Sequence, residues 1–251
     1  MATFEGMRNP ITLLLCLLLC AQSARPESFP FPQKLSYRIE WRMVTAGSAE
    51  LEFTRSGANH WGINLDLESA GIVTRLYRVS DKYRVTSNDR FCGASATLDA
   101  QEGKRHNLTQ LSFDNVAHKV LYDEHDLIKN QSEKKELSIE PCTHEVAGAL
   151  ASLGEINLQP GNSVSVPITN GKKIVNARVD AQAKETIHVD GKPYQTIRYE
   201  AFLFDNVLYK RKGRLFLWIT DDPERTPVQF RIQLGFPIGT ISLELEKQQK
   251  L

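Results

Sequence analysis

Along most of this chain the apolar residues fall on every second position, and a chain patterned in that way buries its apolar side by pairing into sheets. Leu35, Tyr37, Ile39, Trp41 and Met43 alternate with Ser36, Arg38, Glu40 and Arg42. Ala49, Leu51 and Phe53 repeat the pattern after Ala46-Gly47, and Trp61, Ile63, Leu65 and Leu67 extend it. One face of each strand is apolar and the other polar, which predicts antiparallel pairing with one side in water. Tyr83 and Val85, Leu111 and Phe113, and the returning stretch Val116 to Tyr122 carry the theme through a more polar middle. Asn170-Gly171 and Asp190-Gly191 then predict two tight hairpins, since both dipeptides suit the primed turns that match strand twist.

The stretch from Leu215 to Thr220 breaks the one-sided rule. Leu215, Leu217 and Ile219 lie on one side and Phe216 and Trp218 on the other, so each side needs a cover. The polar run that follows, from Asp221 to Pro227, predicts a turn: Pro223 fixes its own φ and the aspartates can cap the chain.

Two segments do not alternate. Ala70 to Tyr77 has room for a short helical turn. After Cys142, the residues Val146, Ala147, Leu150 and Leu153 share one helical stripe, with Thr143 as the expected N-cap and Gly154 as the left-handed stop. The fold class predicted is mainly β: a large curled antiparallel sheet or half-barrel of roughly a dozen strands with one substantial helix, because a flat sheet that wide leaves edges and an apolar face exposed.

The first residues do not belong to this pattern. Arg8 precedes the Leu-rich run Ile11 to Cys20 and the small or polar Ala21-Gln22-Ser23-Ala24, the form of a secretory leader. The reading is a signal peptide over 1–23, cut after Ser23 or Ala24, followed by a single β-rich domain over 24–251. The apolar run is shorter than the roughly 20 residues a spanning helix needs, so no transmembrane anchor is expected. Cys16 and Cys20 follow leucines too bulky for a lipid-attachment site. The chain is therefore expected to be exported, periplasmic or secreted. Cleavage leaves Cys92 and Cys142, an even pair that predicts a disulfide in an oxidising compartment, the alternative being two separately buried thiols.

Lysine and arginine number 31 against 30 for aspartate and glutamate. With the charges interspersed, no net field draws the chain to nucleic acid. His144-Glu145 begins a zinc-protease-like motif, but Gly148 stands where the second histidine would be. Asp123-Glu124-His125-Asp126 cannot converge on one cation if extended, because neighbouring side chains point to opposite faces. There is no nucleophile elbow and no Gly-rich phosphate loop after a strand. The chain is read as non-catalytic, with no metal and no cofactor.

Several stretches in order resemble a bacterial family, domain of unknown function 3108. They are Leu35 to Trp41 with Ala46 to Leu51, Ala70-Gly71 with Leu76 to Asp81, and Leu217 to Asp222 with Pro227-Val228 and Ile238-Gly239. The helix departs from that pattern, opening with Thr143-His144-Glu145 and closing with Leu153-Gly154-Glu155. The resemblance implies an exported envelope protein with a β-rich fold, similar to the curled sheet of lipoprotein-localisation carriers, and transfers no catalytic residue. The functional expectation is binding of a lipid or other hydrophobic small molecule in the curled sheet, with Trp41, Trp61, Phe216 and Trp218 facing the ligand. The alternative is a structural or interaction protein of the envelope, with an envelope protein as partner and these aromatics serving as a filled core.

Overall fold

The computed structural model describes residues 28–57 and 59–251. The expected leader, with Cys16 and Cys20, lies outside the described residues. The strands of the described residues fall into two antiparallel meanders. The first comprises β1 (Gln33–Trp41), β2 (Val44–Arg55), β3 (His60–Ser69), β4 (Val79–Asn88), β5 (Gly93–Glu102), β6 (Arg105–Asp114), β7 (Lys119–Asp126) and β8 (Gln131–Ser138). The second comprises β9 (Ser163–Thr169), β10 (Ile174–Val189), β11 (Lys192–Ala201), β12 (Gly213–Thr220), β13 (Pro227–Leu234) and β14 (Thr240–Lys250). Pairing of β1 with β14 joins them into one sheet of 14 strands, slightly more than the pattern predicted, with β8 and β9 as its edges.

The sheet curls without closing. Strand β8, Gln-Ser-Glu-Lys-Lys-Glu-Leu-Ser, is exposed over most of its length, and its charges discourage further pairing at that edge. The β9 edge is covered instead by the chain's own return: His144 N donates to Pro167 O and Thr169 N to His144 O, both at 2.9 Å. The β9–β10 tip then reaches across to the far wall. A Cβ on Gly171 would overlap the Tyr122 ring and sit 2.5 Å from Leu111 Cδ2, so a glycine with φ of 82° is required there. Its neighbour Lys172 pairs with Glu124 at 3.1 Å.

Among the described residues two helices occur, α1 (Gly71–Leu76) and α2 (Val146–Glu155). The one substantial helix expected is thus only ten residues long. Its cap is Glu145 and not Thr143: the carboxylate accepts from Ala147 N at 2.6 Å and from Gly148 N, whereas Thr143 Oγ1 donates to Glu140 O at 2.8 Å. Gly154 does not stop the helix in the left-handed region, since α2 runs through Glu155 to a C-cap at Ile156. Space explains Gly154, because a Cβ would come within 2.6 Å of the Phe29 ring. Cys92 and Cys142 are bonded, with Cα atoms 4.6 Å apart, and so tie the β4–β5 turn to the segment entering α2.

Of the two predicted hairpins, Asp190-Gly191 is the two-residue turn with positive φ at both positions. Asn170-Gly171 sits instead in a four-residue loop between Thr169 and Ile174. Strands β10 and β11 run past the end of β12, which pairs only as far as Thr196. On the outward face of this extension Val189 is buried, with Ile187 and Tyr194 half-buried, in the cluster that holds Phe216 and Trp218. Trp218 Nε1 donates to Glu185 at 2.6 Å, so this β10–β11 arm covers the outer side of β12.

Candidate ligand-binding site

Antiparallel pairing puts alternate connections at opposite ends of the half-barrel, here called floor and rim. The floor holds both chain ends of the described fold and the turn 221–226; the rim holds seven loops, including 42–43, 70–78, 202–212 and 235–239.

The interior is packed unevenly along this axis. At the floor Phe29 and Trp61 stack on either side of Phe91, with centroids 5.8 and 6.0 Å away, and Phe53 meets Phe29 edge-on at 5.7 Å. Trp61, Ile63 and Phe91 are fully buried. Toward the rim the inward residues of the same strands, Leu51, Leu65 and Leu67, are only half-buried, as is Leu243 beside buried Leu245. Large rings pack the floor end, whereas mostly aliphatic inward side chains of the same strands line the rim end around an open centre.

The open space is a cavity of about 420 Å³. Leu51, Leu67, Leu217, Phe230 and Leu243 form its sheet wall, the Val146–Leu150–Gly154 stripe of α2 faces them, and Phe204 and Tyr209 stand at the rim. A second cavity of about 500 Å³ adjoins it, sharing Leu65, Leu67, Val146 and Tyr209 and adding the polar Asp81, Glu124, Asn170 and Lys172. Both volumes fall within the roughly 300 to 1,000 Å³ typical of small-molecule sites. The first space is lined almost wholly by apolar side chains and the second partly by polar ones.

Charged groups around these spaces have defined partners or shifted equilibria. Arg225, at the floor of the first cavity, donates to Tyr199 Oη at 2.7 Å and Thr220 O at 3.2 Å, and no carboxylate pairs with it among the described residues. It clamps the 221–226 turn to β11. Asp81 is pushed up to about 6 by burial and then by the charge of Glu102. Burial likewise pushes Glu145 up to about 6, against the pull of Tyr83 Oη, which donates to it at 2.7 Å, and of the helix N–H groups. Burial lowers the His144 pKa, and its Nδ1 lies 2.8 Å from Phe91 O, the geometry of a neutral ring donating to a carbonyl. At Gly148 a Cβ would come within 2.8 Å of that same carbonyl. The pair His144-Glu145 and its glycine therefore secure α2 to the floor.

The acidic run and the aspartate turn are also accounted for. Asp123 faces Lys134 at 2.8 Å, Glu124 faces Lys172, and Asp126 faces Lys129 at 2.8 Å. Asp222 accepts from Glu224 N and Arg225 N at 3.0 and 3.1 Å, the capping predicted for the turn, and Asp221 pairs with Lys184 at 2.6 Å.

None of the four aromatics expected to face a ligand lines either cavity. Trp41 lies at the rim end of β1, its Nε1 donating to Ile238 O at 2.6 Å. Trp61 belongs to the filled floor. Phe216 and Trp218 point outward under the β10–β11 arm, because adjacent positions on a strand face opposite sides and the cavity took Leu215, Leu217 and Ile219. The legible signal was the gradient along inward faces, Trp61, Ile63, Leu65, Leu67, from ring to aliphatic. Phe204 and Tyr209 had no such signal, since they come from an irregular loop.

The described residues form a curled antiparallel half-barrel, packed at one end and hollow at the other. The chain belongs to the family described as protein of unknown function (DUF3108), which matches residues 36–246. Among solved structures, the beta-barrel-like protein of domain of unknown function DUF1849 from Brucella abortus is similar in fold. The TM-score is 0.61 at 10% identity, over 88% of this chain and 98% of that one. No curated protein matches the chain.

Proposed function

We propose that this is an exported, non-catalytic envelope protein, periplasmic or secreted, that holds a lipid or other hydrophobic molecule in its rim-end cavity. The observation that carries the reading is the unfilled, almost wholly apolar space between α2 and the aliphatic half of the sheet. A disulfide suits an oxidising compartment, and no helix among the described residues is long and apolar enough to cross a membrane. The alternative, an interaction protein with a filled core, has the aromatic floor in its favour.

Native mass spectrometry of protein from a bacterial envelope, with displacement of a fluorescent fatty-acid probe, tests the proposal. Leu67→Trp and Leu243→Trp place a ring in the open space, so they should leave the melting temperature near that of the parent and lower probe affinity at least tenfold. A protein that is ligand-free and takes up no probe would favour the filled-core alternative.

A further inference from the structure

We propose that the rim is a docking face for an anionic lipid surface, set so that the cavity's half-exposed wall faces the bilayer. The inference goes beyond ligand binding and draws mostly on residues outside the cavities, Lys172 and Tyr209 being shared.

Near-neutral net charge conceals a strong polarity. The seven rim connections contain ten basic residues and one acidic residue, Asp205. Arg42, Arg75, Arg78, Lys104 and Lys129 come from the first meander; Lys172-Lys173 and Lys210-Arg211-Lys212 come from the second. Lys129 and Lys172 are paired with carboxylates; the others form no ion pair among the described residues. The floor connections reverse the sign, with Asp89, Glu140, Glu145, Glu155, Asp190, Asp221, Asp222 and Glu224 against Arg90 and Arg225.

Exposed apolar residues cluster on the same end. Of the 12 large apolar side chains exposed among the described residues, nine lie at the rim. Met43 is 96% exposed and Phe236 97%, while Leu76 of α1 and Ile128 of the β7–β8 loop are more than half exposed. Side chains this apolar and this open, ringed by cations, have the character of an interfacial anchor.

The tips are held in place. Trp41 Nε1 donates to Ile238 O, and Arg42 donates to Pro237 O, fixing the β1–β2 turn beside the β13–β14 loop. Arg42 and Met43 have φ of 50° and 63°, positions where Asn-Gly would be unstrained. The turn thus presents a cation and an apolar tip at a conformational cost. An anionic bilayer offers both counterparts, phosphate for the cations and acyl chains for Met43 and Phe236. A nucleic-acid backbone satisfies only the first.

Co-sedimentation of the purified full chain tests this with vesicles of phosphatidylcholine alone and with about one-third phosphatidylglycerol. The expected result is binding to the anionic vesicles only, weakened by salt. Each basic residue removed should lower the partition coefficient about fivefold. Lys210→Glu/Arg211→Glu/Lys212→Glu and Phe236→Ser should both reduce binding, while Val116→Ser, 92% exposed at the floor, should not. Arg42→Asn/Met43→Gly is the sharpest variant: relief of the positive φ offsets loss of the Arg42–Pro237 hydrogen bond, so the melting temperature should stay near the parent's while vesicle binding falls. Equal binding to both vesicle types, no binding to the anionic ones, or rim variants that bind as the parent does would overturn the proposal. So would binding of duplex DNA that competes with the vesicles and ignores Phe236→Ser. Probe uptake by the cavity, measured on the same samples, separates the two readings. Uptake without vesicle binding sinks the docking face alone; vesicle binding without uptake sinks the container alone.

Discussion

Glu145 shows how a single side chain can be both a cap and a cost. Its carboxylate satisfies two N–H groups at the start of α2, yet burial holds its folded pKa at about 6, above the ordinary carboxylate value. Because the folded state binds this proton more tightly than the unfolded chain, Glu145 contributes relative stability below the unfolded pKa. That contribution is lost as pH rises through about 6. The loss amounts to about 2 kcal/mol. Glu145→Gln keeps an acceptor for the helix and lets Tyr83 turn its hydroxyl, so melting curves between pH 4 and 7 should lose this component of their slope. Trp218 makes a different case. It is 5% exposed on the outer face, bonded to Glu185 and with Arg231 5.1 Å from its ring centroid. Trp218→Ala should cost about 3 to 5 kcal/mol in denaturant titrations and leave probe affinity unchanged. A fall in affinity at equal stability would put Trp218 back at the ligand.

At the scale of elements, much was legible because sheet periodicity is local. Strands β1 to β3 and β12 to β13 could be placed from alternation alone, as could the turn at Asp221-Asp222. What alternation cannot give is which inward residues meet a partner. Trp61 and Leu67 sit on one face of β3, but only the fold shows that Phe91 stacks on the first while the second borders the open cavity. Helix α2 was placed within a few residues, yet its cap was missed. Thr143 has the commoner capping chemistry, whereas Glu145 caps from a site where the Tyr83 hydroxyl and two helix N–H groups offset its burial. The covering of Phe216 and Trp218 was equally hidden, since it depends on how far β10 and β11 outrun β12. The disulfide, predicted from cysteine count and compartment, closes a loop of 50 residues between the β4–β5 turn and α2. Chain-entropy reasoning gives it about 4 kcal/mol. Cys92→Ala/Cys142→Ala should lower the denaturation midpoint and loosen α2 first. Hydrogen exchange should report faster exchange at residues 146–155 than in β1 or β14.

The described molecule is two meanders joined along β1 and β14 and held across the opposite side by the β9–β10 tip at the rim and by the disulfide-anchored segment entering α2 at the floor. That asymmetry sets where it should open. Strands β1 and β14 are paired on both sides, whereas β8 and β9 are edges. The seam between the walls rests on Gly171 packed against Tyr122 and Leu111, and on the Lys172–Glu124 pair at 3.1 Å. Exposed ion pairs contribute little, so at the rim the packing at Gly171 carries most of the closure. Gly171→Ala meets two penalties at once, a Cβ that collides with the far wall and a φ of 82° unsuited to alanine. The combined cost should be about 2 to 4 kcal/mol. That cost should fall on the seam and leave the junction intact. Amide exchange in Gly171→Ala should accelerate in β9, β6 and β7, with β1, β2 and β14 keeping the protection of the parent, because local opening draws on the least supported contacts first. Uniform acceleration across all strands would mean that the sheet opens as one cooperative unit and that the seam is no weaker than the β1–β14 junction.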